Sequence, residues 1–167
     1  MNMKIPLLRK VNEFNKKLLD SLQKLKSDGF ELLVENMPSC PWYFGGQWYH
    51  SNFMNADEII EFSTKTGYGI TLDVSHAALY CNYHKKDLEE QIKKIIPVTK
   101  YIHIADAAKS NGEGLQIGDG TIDFETILPH LVKTDLWCLV EIWQGHKFGG
   151  EKFIEAIKKL KAINKDF

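Results

Sequence analysis

Glu35, Asp73, His103 and Glu141 each stand in or just after a short apolar run: Phe30–Val34, Tyr68–Leu72, Tyr101–Ile104 and Leu136–Val140. Carboxylates and imidazoles bind hard and borderline divalent cations, and they also carry protons. If the four runs are parallel strands, their carboxyl ends share one face, where α/β proteins place their ligands. Three carboxylates brought to one mouth repel, and a divalent cation is the simplest group that neutralises them. The oxygen-rich set suits one divalent ion, with Mn²⁺, Mg²⁺ or Co²⁺ favoured. Zn²⁺ also fits, but no cysteine in the set singles it out.

Each residue taken alone has an ordinary explanation. Glu35 reads as a surface charge or a helix cap, Asp73 as a turn cap, and His103 as a hydrogen-bonded core histidine. Glu141, between Val140 and Ile142, is the hardest to explain so, because burying an unpaired carboxylate is costly. The recurrence of all four at equivalent places makes a site of them. His76 and Asp106 follow Asp73 and His103 at the same offset, so both are candidates for the same mouth; Asp106 can equally orient a ligand or cap a turn. His50, His84, His130 and His146 have no such company and read as surface residues. Gly149-Gly150, ahead of a helix, could offer free N–H groups to a phosphate. The aromatic stretch Trp42–Tyr49 reads as a sugar-stacking wall or as packing residues.

These residues need elements to hold them. Leu7, Leu8, Val11, Phe14, Leu18, Leu22 and Leu25 recur at helical spacing, which predicts a helix over Pro6–Ser27, ended by Asp28-Gly29. The four strands then alternate with helices: one capped by Asn55 with Glu58 three residues on, one over Lys86–Ile96, one near Phe124–Val132 and one over Lys152–Ala162. Short, wholly apolar strands alternating with helices predict α/β architecture with a parallel sheet covered by helices. The arrangement α-(βα)₄ over residues 1–167 is half of a (β/α)₈ barrel, in one domain.

A net charge of −1, with no block of lysine or arginine, argues against a nucleic-acid partner. No apolar run approaches the ~20 residues of a membrane helix. The three cysteines, Cys40, Cys81 and Cys138, are odd in number and far apart, which predicts no disulfide framework; with no signal peptide at the start, the expectation is a reduced, cytoplasmic protein.

The segments Leu32–Pro38, Gly69–Ala77, Tyr101–Asp106, Gly118–Phe124 and Leu139–Glu141 together resemble the sugar phosphate isomerase/epimerase superfamily, the xylose isomerase-like TIM barrels. The Asp-x-x-His pair and the Gly-x-Gly-x-Ile-Asp-Phe turn, in this order, carry the resemblance. It implies that Glu35, Asp73, His103 and Glu141 hold a metal ion and that His76 contacts substrate. Lys109 falls near a substrate-binding arginine of sugar epimerases, which makes it, with His76 and Asp106, a candidate substrate contact. The endonuclease-four branch places an Asp-x-His pair before the Ile-Gly turn; Gly112–Gly118 here has no histidine, which argues against phosphodiester cleavage.

The expected function is a metal-dependent isomerase or epimerase of a sugar or sugar-phosphate-like substrate. Reaction would pass through an enediolate, with Glu35 or Glu141 as the base. The rival expectation is a non-catalytic half-barrel that binds a ligand or partner. Four βα units cannot close a barrel, so the chain should pair, as a homodimer or with a separate N-terminal half-barrel. Leu33, Leu72, Ile102 and Leu139 are typical of the strand side chains that such pairing covers, and the sequence leaves open which strand residues point inward.

Overall fold

The computed structural model describes residues 11–25, 29–43, 45–47, 49 and 52–167. The leading helix α1 spans Val11–Leu22; the expected start at Pro6 lies outside the described residues. Strand β1 is Leu33–Glu35, shorter and later than the run Phe30–Val34 suggests. Within the aromatic stretch lies a small antiparallel hairpin, β2 (Trp42–Tyr43) with β3 (Gly46–Gln47).

Helix α2, Ala56–Thr66, is set by its ends. Asn55 Oδ1 accepts from the Glu58 N–H at 2.9 Å, and Glu58 Oε2 reaches back to the Phe53 N–H at 2.7 Å. Gly67, at φ 77°, closes the other end in the left-handed region. Strand β4, Gly69–Asp73, follows and is buried at every position.

Directly after it comes a helix that the periodicity does not reveal, α3, Val74–His84. Val74, Ser75, Ala77, Ala78, Leu79, Tyr80 and Cys81 are all buried, so the helix has no apolar stripe to alternate with a polar one. Asp73 caps it, accepting from the His76 N–H at 2.7 Å. Helix α4, Leu88–Ile95, is capped by Asp87 and gives way to a short 3₁₀ turn containing Pro97.

Strand β5, Thr99–Ile104, is followed by a second hairpin, β6 (Asp106–Ala108) with β7 (Gly112–Leu115). Helix α5 (Phe124–Val132), strand β8 (Cys138–Val140) and helix α6 (Glu151–Ile163) complete the chain.

The strands β1, β4, β5 and β8 form one parallel sheet in that order. Alternation sends Ile70, Leu72, Ile102, Ile104 and Val140 to the helix side, where they join Ile59, Phe62, Ile92, Ile95, Leu128 and Leu160 in the core. Leu72 and Ile102, two of the four side chains named for the inner face of a half-barrel, therefore lie beneath helices at 0% and 1% exposure. The inner face is carried instead by the residues in step with the four site residues: Leu33, Thr71, Tyr101 and Leu139. Strands β1 and β8 are the sheet's two edges.

Candidate metal centre

The four strand-end residues converge. Glu35, Asp73, His103 and Glu141 each offer one ligand atom, and these atoms lie within 4.8 Å of one another. The register explains why: Asp73 stands opposite His103 across β4 and β5, Glu35 ends the flanking β1, and Glu141 follows β8 with its N–H bonded to Ile104 O at 3.0 Å. Neighbouring strands in phase set the four side chains side by side.

Asn36, fully buried, locks two of these strand ends together. Its Nδ2 donates to Asp73 O at 2.9 Å, and its Oδ1 accepts from the Asp73 N–H at 2.8 Å. One Asp73 oxygen, Oδ1, accepts from Ser75 Oγ and the His76 N–H. The Asp73 carboxylate is thus fixed by its capping role.

His103 supplies the decisive geometry. Its Nδ1 is buried and has no hydrogen-bond partner, although Glu141 Oε2 lies at 2.9 Å and Glu35 Oε1 at 3.5 Å. Both carboxylates crowd the one nitrogen. A buried ring nitrogen with no hydrogen bond is a costly arrangement. A cation shared by the nitrogen and the carboxylates removes that cost. Tyr101, two residues earlier on the same face, packs edge-on against the His103 ring with centroids 5.5 Å apart.

The electrostatics follow from this crowding. Burial pushes the Glu35 carboxyl up, but the contacts with His103 and His76 outweigh it and hold its pKa below the usual carboxylate range. Contact with the Glu35 carboxylate holds the His103 imidazole above its ordinary value against burial, with Glu141 and Asp73 adding to it. Burial, with the Asp73 and Glu35 charges, lifts the Glu141 carboxyl despite the lowering effect of His103. The donor set of three carboxylates and one imidazole could hold a metal ion. Glu141 itself is more than half exposed, because its neighbours Val140 and Ile142 take the helix side and leave it facing the open mouth. Exposure on that side reduces the expected cost of burying it, and the part that remains is what lifts its pKa.

The remaining candidates separate. His76, in the first turn of α3, has Nδ1 at 3.5 Å from Glu35 Oε1 and at 2.9 Å from Asn36 O. Burial works against its charged form, yet Asp73, the Asn36 carbonyl, Glu35 and Glu113 outweigh this and raise its pKa. Asp106 is buried, and both of its oxygens are committed. Oδ1 accepts from the N–H of Ala107 and Ile122, Oδ2 from those of Gly118 and Gly120. Gly120 must be glycine there, because a Cβ would overlap the Asp106 carboxylate. Asp106 is thus the clasp of the Gly-x-Gly turn, the turn-capping alternative of its two expected roles. Lys109 is exposed at the tip of the β6–β7 hairpin. Glu113, on β7, belongs to no strand-end pattern in the sequence; its Oε2 lies 3.7 Å from His76 Nε2. Its only signal in the sequence is one charge within an otherwise uncharged Asn111–Ile117. Gly149 and Gly150 adopt φ of 71° and 83° before α6.

Residues 9–163 match a family described as the xylose isomerase-like TIM barrel. The chain belongs to this family. No curated protein matches its sequence. Among solved structures it resembles a D-tagatose 3-epimerase-like protein, with TM-score 0.69 and 20% identity, covering 97% of this chain and 59% of that one. It also resembles the 3-keto-D-glucoside 4-epimerase of E. coli, with TM-score 0.64 and 15% identity over 97% and 60% of the two chains. A third is the D-psicose 3-epimerase of Clostridium cellulolyticum H10, with D-tagatose, at TM-score 0.62 and 10% identity over 95% and 60%. The chain thus spans about three-fifths of the length of each of these structures. Among the described residues no helix is long and apolar enough to cross a membrane.

Proposed function

We propose that the chain carries the metal-binding mouth of a divalent-metal-dependent isomerase or epimerase acting on a sugar or sugar-phosphate-like substrate. The observation that carries this is the convergence of the His103 ring with the carboxylates of Glu35, Asp73 and Glu141, whose ligand atoms lie within 4.8 Å of one another. Glu35, Asp73, His103 and Glu141 would hold Mn²⁺, Mg²⁺ or Co²⁺, with Zn²⁺ also accommodated. When bound, such an ion supplies Lewis-acid polarisation of a substrate carbonyl. The sugar-acting relatives named above support the substrate class.

The chain's own residues supply the rest. Glu35 ends one edge strand and Glu141 follows the other, and both carboxylates reach the mouth. One takes the proton from the carbon beside the carbonyl, and the electron pair of that C–H bond enters the enediolate. The other returns a proton to the opposite face, which inverts that carbon. His76, held by the Asn36 carbonyl, orients the substrate.

Two copies would complete the fold. A two-fold axis along the barrel axis sets β8 of one copy beside β1 of its partner at both seams, giving the eight strands of a closed barrel. Trp137, Leu139 and Trp143, exposed on the inner face of β8 and its extension, are what this assembly covers. A separate half-barrel of βα units would cover the same face.

Proton abstraction is tested directly by solvent exchange. The Mn²⁺-loaded protein is incubated in D₂O with a panel of ketopentoses and ketohexoses and followed by NMR. Deuterium should enter at the carbon beside the carbonyl, and Asp73→Ala should abolish this. A metal-loaded, folded wild type that exchanges no such proton on any member of the panel would overturn the reading.

A further inference from the structure

We propose that Asn36 is a positioning residue of the metal centre: its side-chain amide takes the place of a backbone rung between β1 and β4 and so sets Glu35 against Asp73. This rests on the metal-binding reading above and deepens it.

The argument begins where the ladder stops. Strand β1 pairs with β4 through Leu33–Gly69, Val34–Ile70 and Glu35–Thr71, and goes no further. Asp73 is paired with His103 on its other neighbour, β5. At Asp73 the chain turns into α3, and the backbone of β1 offers it no rung. A buried N–H and a buried C=O without partners are costly. The Asn36 amide satisfies both, accepting from the Asp73 N–H at 2.8 Å and donating to the Asp73 carbonyl at 2.9 Å. Among side chains of this length, only a primary amide offers an uncharged donor and acceptor side by side at neutral pH. Asn36 is fully buried, so solvent does not compete for either bond.

These two bonds hold the spacing of the ligands. Asn36 follows Glu35 directly, and its amide grips the backbone that carries the Asp73 carboxylate. Two of the four ligand-bearing residues are thereby fixed to each other before any ion arrives. Strand β1 needs such a tie, being three residues long at the edge of the sheet with β4 as its one neighbour. The chain beyond is pinned as well, since the Met37 N–H donates to Phe53 O at 2.9 Å. The Asn36 main-chain carbonyl lies 2.9 Å from His76 Nδ1, so the same residue also touches the candidate substrate contact. Residues that orient metal ligands in this way typically govern affinity by about 10–100-fold.

The test uses Asn36→Asp, with Mn²⁺ as the probe. The variant keeps the shape and the acceptor toward the Asp73 N–H, and it leaves the main-chain carbonyl beside His76 in place. It loses the donor to the Asp73 carbonyl. Its added negative charge would by itself strengthen cation binding, so a loss of affinity can come only from lost positioning or a loosened fold. Leu128→Ala, which opens a cavity under α5 behind the sheet, controls for a loosened fold. Mn²⁺ affinity is read by electron paramagnetic resonance, at a temperature where each variant keeps the circular dichroism of wild type. It should fall about tenfold or more in Asn36→Asp and stay within about twofold in Leu128→Ala. Asn36→Ser, small and uncharged, is read in the same way if Asn36→Asp does not fold. Wild-type or tighter Mn²⁺ binding by the Asn36 variant, or an equal loss in Leu128→Ala, would overturn the role of Asn36 alone. A folded wild type that binds no Mn²⁺ overturns the metal-binding reading and this proposal with it.

Discussion

Strands β4 and β8 are much alike in sequence, each a short apolar run leading to a carboxylate, yet they live in different surroundings. Every residue of β4 is buried. On β8 only Val140 is buried, while the neighbouring inner-face residues Trp137 and Leu139 are 82% and 45% exposed. The difference is position: β4 is flanked by β1 and β5, whereas β8 has β5 on one side and an open edge on the other. Composition reports what a strand is fit to bury, and only the count of neighbours decides what it does bury. A strand with core composition at an open edge leaves apolar surface exposed, as a strand between two neighbours does not.

The largest effect should come from the closed region. Leu72→Ala removes a fully buried side chain of β4 and should cost about 2–5 kcal/mol. Denaturant unfolding measures this. A loss no greater than that of a surface substitution would mean that β4 is less enclosed than described.

The open edge should respond in the opposite way. Leu139→Lys should change the unfolding free energy of the separated chain by about 0.5 kcal/mol or less. It should also convert the dimer proposed above to monomer in size-exclusion chromatography with light scattering. A wild type that runs as a dilute, stable monomer would leave a separate half-barrel as the partner; a Leu139→Lys dimer would place the contact elsewhere.

The smallest effect belongs to the helix layer behind the sheet. Glu89, on α4, is held below the usual carboxylate range by Lys93 at 2.7 Å and by His130, on α5, at 2.8 Å. A carboxyl with a lowered folded-state pKa adds stability above its unfolded pKa and loses it as pH falls through the folded value. Glu89→Gln should therefore be slightly less stable than wild type around pH 7, and the two should converge near pH 3. A constant difference across that range would show that the effect is not electrostatic.

Much of this layout is legible in the residues. The alternation of short apolar runs with amphipathic segments locates the four sheet strands, and Asn55 with Glu58 marks the start of α2 through the capping that the structure contains. The convergence of Glu35, Asp73, His103 and Glu141 follows from parallel strands in phase. What is illegible has physical causes. Helix α3 is buried nearly all round and so lacks periodicity. The choice of Thr71 and Tyr101, rather than Leu72 and Ile102, for the inner face depends on register, and a strand apolar at most positions does not reveal it. The commitment of Asp106 to backbone N–H groups and the approach of Glu113 to His76 both arise from the β6–β7 hairpin, which folds a glycine-rich stretch back over the mouth.

The central claim is that the open end of the sheet is a metal site. Titration of dialysed protein with Mn²⁺, followed by electron paramagnetic resonance, tests it most directly. The account predicts about one bound ion per chain, lost in His103→Ala while the circular dichroism of the fold is retained. A folded wild type that stays metal-free after exposure to Mn²⁺, Co²⁺ and Zn²⁺ in turn would contradict it.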